Sequence, residues 1–117
     1  MPTILTLPQK QKIRNVFDTT TSLLDIKRSQ VDAILSCDYT RLPTEYMEEY
    51  VWRRIGLILR ICADVATLLW DQSIAWDRVK SWMASPNQAF GGKSALAYLE
   101  YDPTEALVQI PWYLDSL

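Results

Sequence analysis

The cysteines are the first side chains of this chain to test for chemistry. Histidine is absent, which removes imidazole metal ligands and the imidazole base that activates a serine or cysteine nucleophile. Cys37 and Cys62 are the two cysteines of the chain and are far apart in the sequence. A zinc site needs about four ligands, commonly in two close pairs, so these cysteines do not match its pattern. We therefore expect two reduced, mostly buried thiols and no metal.

Carboxylate pairs are the other candidates for catalysis. Glu48 and Glu49 are adjacent on a predicted helix and so point apart, while Asp71 and Asp77 stand at a predicted helix junction without an accompanying base. No glycine-rich loop in the sequence has the pattern that cradles phosphates. We therefore predict that the protein is not an enzyme and uses no cofactor.

Length and composition predict a single soluble domain. The chain has 117 residues, of which 49% are hydrophobic and 22% charged, as in an ordinary globular protein with one core. Its 12 basic and 14 acidic residues give a net charge of −2, so the chain as a whole does not attract phosphates or anionic membranes. The sequence shows neither a secretory leader nor a membrane-spanning run of about 18 apolar residues. We expect a cytoplasmic protein.

Hydrophobic spacing predicts helices in the first half of the chain. A first helix is expected over residues 9–24, and a short second helix over residues 30–36, capped by Ser29. A break follows over residues 37–43. The positions expected to face the core are Ile13, Val16, Phe17, Leu23, Leu24, Val31, Ile34 and Leu35.

The longest predicted helix covers residues 44–70 and carries two apolar rows at spacings of three and four. Two rows imply two neighbouring elements, so this helix is expected at the centre of the fold, although a dimer interface could cover one row instead. The first row is Met47, Val51, Ile55, Ile58, Cys62, Val65 and Leu69. The second row is Tyr50, Leu57, Ile61 and Leu68.

Capping residues and prolines divide the remainder into three helices. Ser73 is expected to cap a helix that ends before Pro86, and Ser94 to cap a short one that ends near residue 98 or 99. Asp102 followed by proline at the first helical position predicts the start of the last helix. Because of Pro111, residues 111–117 should kink, tighten or leave that helix. The predicted fold class is all-α, a compact bundle of about six helices around a long central helix.

One run joins a helix end, a glycine turn and a new helix start. It reads Trp82-x3-Pro86-Asn87-x2-Phe90-Gly91-Gly92-x3-Leu96-x2-Leu99. The run resembles the toxin-binding domain of the MbcA/ParS/Xre antitoxins, over about residues 63–108, with Ala95 where the family pattern has proline. Residues 24–35 are similar to the degenerate Xre-type helix-turn-helix that precedes this domain in the family. The expected division is a helix-turn-helix-like part over residues 1–43 and the central helix with the toxin-binding domain over residues 44–117.

The resemblance implies an antitoxin of a type II toxin-antitoxin system. Such a protein neutralises a RES-domain toxin, an enzyme that consumes NAD, by covering its active site. The aromatic residues after Pro111 crowd a predicted irregular tail and suit interface anchors. The expected toxin-binding residues are Asn87, Phe90, Gly91, Gly92, Lys93, Trp112, Tyr113 and Leu117.

Two other functions stay open on the sequence alone. The first is a dimeric Xre-like transcriptional regulator that binds operator DNA through Lys27, Arg28, Ser29 and Gln30. Residues 1–45 carry six basic and five acidic side chains, so the attraction to phosphate would be slight. The second is an adaptor that uses the same fold for an unrelated partner.

Overall fold

The predicted all-α architecture is confirmed. A computed structural model describes residues 5–68 and 76–117, and within these ranges it contains helices and turns but no extended strand. None of the helices in these ranges is long and apolar enough to cross a membrane. The α-helices are α1 (Leu7–Leu23), α2 (Arg28–Leu35), α3 (Glu49–Leu68), α4 (Trp76–Ala84), α5 (Ala95–Tyr101) and α6 (Pro103–Asp115).

Helix α1 begins two residues before its predicted start because Thr6 and Gln9 form a capping box. The Thr6 hydroxyl accepts from the Gln9 N–H at 3.3 Å, and the Gln9 side chain accepts from the Thr6 N–H at 2.9 Å. Each bond satisfies a backbone donor that the first turn leaves free.

The predicted inward face of α1 is partly wrong. Phe17 and Leu24 are buried, whereas Val16 and Leu23 are exposed. Thr20 and Thr21 take the inward positions instead, and their hydroxyls donate to carbonyls of their own helix at 2.8 and 3.1 Å. Burial of these threonines is tolerated because their hydroxyl protons already have partners.

Helix α2 is not capped by Ser29 as predicted. Its cap is Lys27, whose backbone N–H donates to Oε1 of Gln30 at 2.8 Å. Glutamine at the third helical position reaches back to the cap and supplies an acceptor. The predicted inward residues Val31, Ile34 and Leu35 are all buried.

Helix α3 starts later than predicted, at Glu49, because residues 44–46 form a separate 3-10 turn. The buried Thr44 hydroxyl donates to the Gln11 side chain at 2.9 Å and accepts from Arg14 at 3.1 Å. These contacts tie the turn to α1. Met47 is extended, with φ −70° and ψ 129°, and so separates the turn from α3.

Helix α3 occupies the central position that the two rows predict. It contacts α1, α2, α4 and α6. The first row is buried from Met47 to Val65, and Leu69 lies outside the described residues. In the second row, Ile61 is buried and Leu57 half-buried, but Tyr50 and Leu68 are exposed.

The caps of the last two helices are confirmed. The Ser94 hydroxyl accepts from the Ala97 N–H at 3.0 Å, and the Asp102 carboxylate accepts from the Glu105 N–H at 3.2 Å. The predicted cap Ser73 lies outside the described residues.

The prediction that residues 111–117 leave the helix is wrong, because α6 continues past Pro111 to Asp115. A proline inside a helix costs about 3 kcal/mol. Continuation of the helix buries Pro111 and Leu114, and each buried apolar side chain of this size contributes about 1.5 to 3 kcal/mol. The two contributions together offset the cost.

Candidate functional site

The glycine turn between α4 and α5 is held by its own backbone. The Asn87 side chain accepts from the Ala89 N–H at 2.9 Å. The Asn87 N–H donates to the Lys93 carbonyl and the Gly92 N–H donates to the Asn87 carbonyl, both at 3.1 Å. Gly91 and Gly92 have φ of 67° and 84°, and a Cβ at either would meet no atom within 4 Å. Glycine is therefore favoured there by backbone conformation and not by a close approach.

Phe90 anchors this turn to the rest of the molecule. Its ring centroid lies 5.3 Å from that of Tyr113 on α6, 5.6 Å from that of Tyr98 on α5 and 6.3 Å from that of Trp82 on α4. Offset and edge-to-face aromatic pairs at these distances stabilise beyond their buried area. Phe90 is 7% exposed, so it positions the turn and leaves little of its own surface for a partner.

Beside the turn, an aromatic side chain faces solvent. Tyr101, the last residue of α5, is 77% exposed, and the Lys93 ammonium lies 5.0 Å from its ring centroid. Tyr98 lies one turn earlier on α5 and is half-buried. Its partial burial, and then the nearby Glu105 carboxylate of α6, raise the pKa of Tyr98, so its hydroxyl stays protonated.

Helix α6 presents a further apolar strip to solvent. Val108 is 64% exposed and Trp112, one turn later, is 70% exposed. Glu105 precedes Val108 by three residues, so these three side chains share the outer face of α6. Asp115, three residues after Trp112, is also exposed on this face. We call the residues Lys93, Tyr98, Tyr101, Glu105, Val108, Trp112 and Asp115 the α5–α6 surface.

The residues after Pro111 do not form the expected irregular tail. Trp112 and Tyr113 belong to the last turns of α6, where Trp112 faces solvent and Tyr113 is half-buried against Phe90. Leu114 is buried, and Leu117, beyond the helix end, is exposed. The aromatic end of the chain is thus part of a packed helix that presents some of its side chains outward.

Tyr101 and Val108 are missed by the sequence analysis. The helical periodicity of α6 could have predicted that Val108 is exposed. If Leu107, Ile110 and Leu114 form the inward stripe, then Val108 falls on the opposite side together with Trp112. The predicted break at Pro111 obscured that period.

The predicted DNA-binding residues lie at the start of α2. Lys27, Arg28 and Ser29 are exposed. Gln30 is half-buried, and its amide is engaged at both ends, by the Lys27 N–H and by Oε2 of Glu100 at 3.1 Å. A glutamine that reads a base needs both ends of its amide free, and the Glu100 carboxylate would repel nearby phosphates. The arrangement gives Gln30 a structural role between α2 and α5.

A concave region, separate from the α5–α6 surface, lies between α1, α3 and the start of α4. It has a volume of about 480 Å³ and is lined mainly by apolar side chains. Its threonine hydroxyls, Thr20 and Thr67, donate to carbonyls of their own helices at 2.8 and 2.9 Å. A small-molecule site usually has, besides its apolar lining, a few polar groups that hydrogen-bond to the ligand. Here the hydroxyl protons of Thr20 and Thr67 are already bonded to the backbone and cannot be donated to a ligand at the same time.

Both cysteines are free thiols. Cys62 is buried, and burial raises its pKa to about 11. Burial and the nearby Asp32 raise the pKa of the half-buried Cys37. Both thiols are therefore protonated at neutral pH, which makes them poor nucleophiles. In the part of the chain that the structure describes, no three potential ligands lie close enough to hold a metal ion.

The chain matches no protein-family model, no curated protein and no solved structure. The family suggested by the run from Trp82 to Leu99 therefore stays a prediction.

Proposed function

We propose that this protein is the antitoxin of a type II toxin-antitoxin system, which binds a RES-domain, NAD-consuming toxin and covers its active site in the cytoplasm. The observation that carries the proposal is the exposure of Trp112 beside Val108 on a helix whose other face is buried in the core. The run from Trp82 to Leu99 suggests which class of partner the surface meets.

The exposed face of α6 is suited to binding another protein without taking part in a reaction. A few buried aromatic anchors provide most of the affinity in protein interfaces. Trp112 is carried by a helix that packs on α3 and α5, so little backbone entropy is lost when a partner binds. Inhibition then follows from steric coverage of the toxin's active site.

A co-expression assay tests this function. The chain is expressed with a RES-domain toxin, and cellular NAD and growth are measured. The unaltered chain should preserve NAD, and Trp112→Ala should lose protection with a fall in affinity of about 30-fold or more, as for a central anchor. The matched control is Tyr46→Ala, because Tyr46 is equally exposed, at 71%, on the 3-10 turn before α3.

Two results would contradict the proposal. One is NAD loss that the unaltered chain does not prevent although both proteins are present and folded. The other is equal protection by the Trp112 and Tyr46 variants. Deletion of residues 112–117 is a poor substitute, because it also removes the buried Leu114 from the core and so confuses binding with stability.

A further inference from the structure

The charges of the chain are unevenly distributed. Of the 14 acidic residues, Glu100, Asp102, Glu105 and Asp115 lie within residues 94–117, and none of the 12 basic residues does. The segment that forms α5 and α6 is therefore strongly acidic in a chain whose remainder is slightly basic.

The contacts of these carboxylates leave most of their charge uncompensated. Glu100 accepts from the neutral Gln30 amide at 3.1 Å, and the Glu105 side chain is exposed to solvent. Asp115 has a cation nearby, Arg60 at 3.7 Å, but both side chains are more than half exposed. Exposed pairs of this kind are weak and are screened by salt.

A second copy of this chain is a poor partner for the α5–α6 surface. A two-fold interface would pair this patch with its own copy. The segment that forms α5 and α6 carries four carboxylates and no lysine or arginine, and the α5–α6 surface has one cation, Lys93, which lies over Tyr101. Two copies of so acidic a segment would repel each other, and that repulsion costs affinity.

We infer that the α5–α6 surface binds a different protein, through a cleft that is apolar at its base and rimmed by lysine and arginine side chains. The inference rests on the proposed function and specifies the chemistry of the partner. Trp112 and Val108 occupy the apolar base, and Glu105 and Asp115 meet the basic rim. Opposite charges at the rim accelerate association more than they slow dissociation.

Association kinetics at several salt concentrations test the inference. A purified RES-domain toxin that the chain neutralises in the co-expression assay is the probe. Glu105→Gln with Asp115→Asn should lower the association rate constant roughly three- to tenfold at low salt, and the difference should vanish near 1 M salt, where charges are screened within about 3 Å. The control is Glu45→Gln with Asp77→Asn, which changes the net charge by the same amount at two exposed residues outside the α5–α6 surface. The control should change the association rate constant by less than about twofold.

The outcomes separate this inference from the proposed function. If Trp112→Ala weakens binding but the Glu105 and Asp115 variant associates as fast as its control, the basic rim is wrong and the antitoxin function stands. If the unaltered chain does not bind the enzyme, the function fails and the inference with it. Sedimentation that shows a homodimer abolished by Trp112→Ala would also overturn the inference.

Discussion

At the scale of single residues, Arg14 and Arg54 each make several hydrogen bonds to distant parts of the chain, although the sequence analysis did not single them out. Arg14 donates to the carbonyls of Leu42 and Tyr39 at 2.7 and 2.9 Å and lies 4.7 Å from the Tyr39 ring centroid. Arg54 joins the end of α2 to α6 through the Ile34 carbonyl and the Thr104 hydroxyl. Hydrogen bonds from a side chain to the backbone of a distant loop produce no periodic pattern in the sequence. The contacts of Arg14 and Arg54 therefore cannot be predicted from residue spacing.

Replacement of Arg14 by methionine should destabilise the fold. The variant keeps much of the apolar stem but removes the Arg14 donor from the Leu42 carbonyl and the Thr44 hydroxyl, and leaves the Tyr39 carbonyl with only the Leu42 N–H. These losses should lower the free energy of unfolding by about 2 to 3 kcal/mol. Urea denaturation measures the change. Lys12→Met is the control, since Lys12 is exposed on the same helix and its loss should cost within about 0.5 kcal/mol. Equal effects of the two variants would show that the Arg14 contacts contribute nothing.

At the scale of elements, the sequence predicts the start of a helix correctly where a single capping side chain determines it. Ser94 and Asp102 cap their helices because a short oxygen-bearing side chain reaches the backbone of its own first turn. The start of α3 was wrong because Thr44 is held by residues of α1, some 30 positions away. Pro111 was misjudged because its cost is local, whereas the burial that offsets it involves the whole bundle.

The glycines give a paired prediction at this scale. Gly91→Ala forces a Cβ into a backbone with φ of 67° and should lower the free energy of unfolding by about 1 to 2 kcal/mol. Gly56 lies within α3 with no atom within 4 Å of an added Cβ, so Gly56→Ala should raise that free energy by about 0.5 to 1 kcal/mol. Urea denaturation of both variants checks the opposite signs. A stabilising Gly91→Ala would mean that the turn does not need its left-handed residue.

At the scale of the whole molecule, one hydrophobic core joins the first and second halves of the chain. It extends from Phe17 on α1 to Leu114 on α6, and α2 contacts α3, α5 and α6. The sequence predicted the central helix and the fold class from apolar spacing. It could not predict that Gln30 bonds to Glu100, 70 residues away, nor which aromatic residues of the second half stay exposed after packing. Exposure depends on how helices pack together, and spacing within one helix does not determine that.

The most direct test of the central claim is hydroxyl-radical footprinting of the protein alone and in complex with a RES-domain toxin. We expect Trp112 and Tyr101 to lose most of their oxidation in the complex, while Tyr46, equally exposed in the free protein, keeps its own. If Trp112 and Tyr101 are oxidised as fast in the complex as in the free protein, the α5–α6 surface is not the surface that binds.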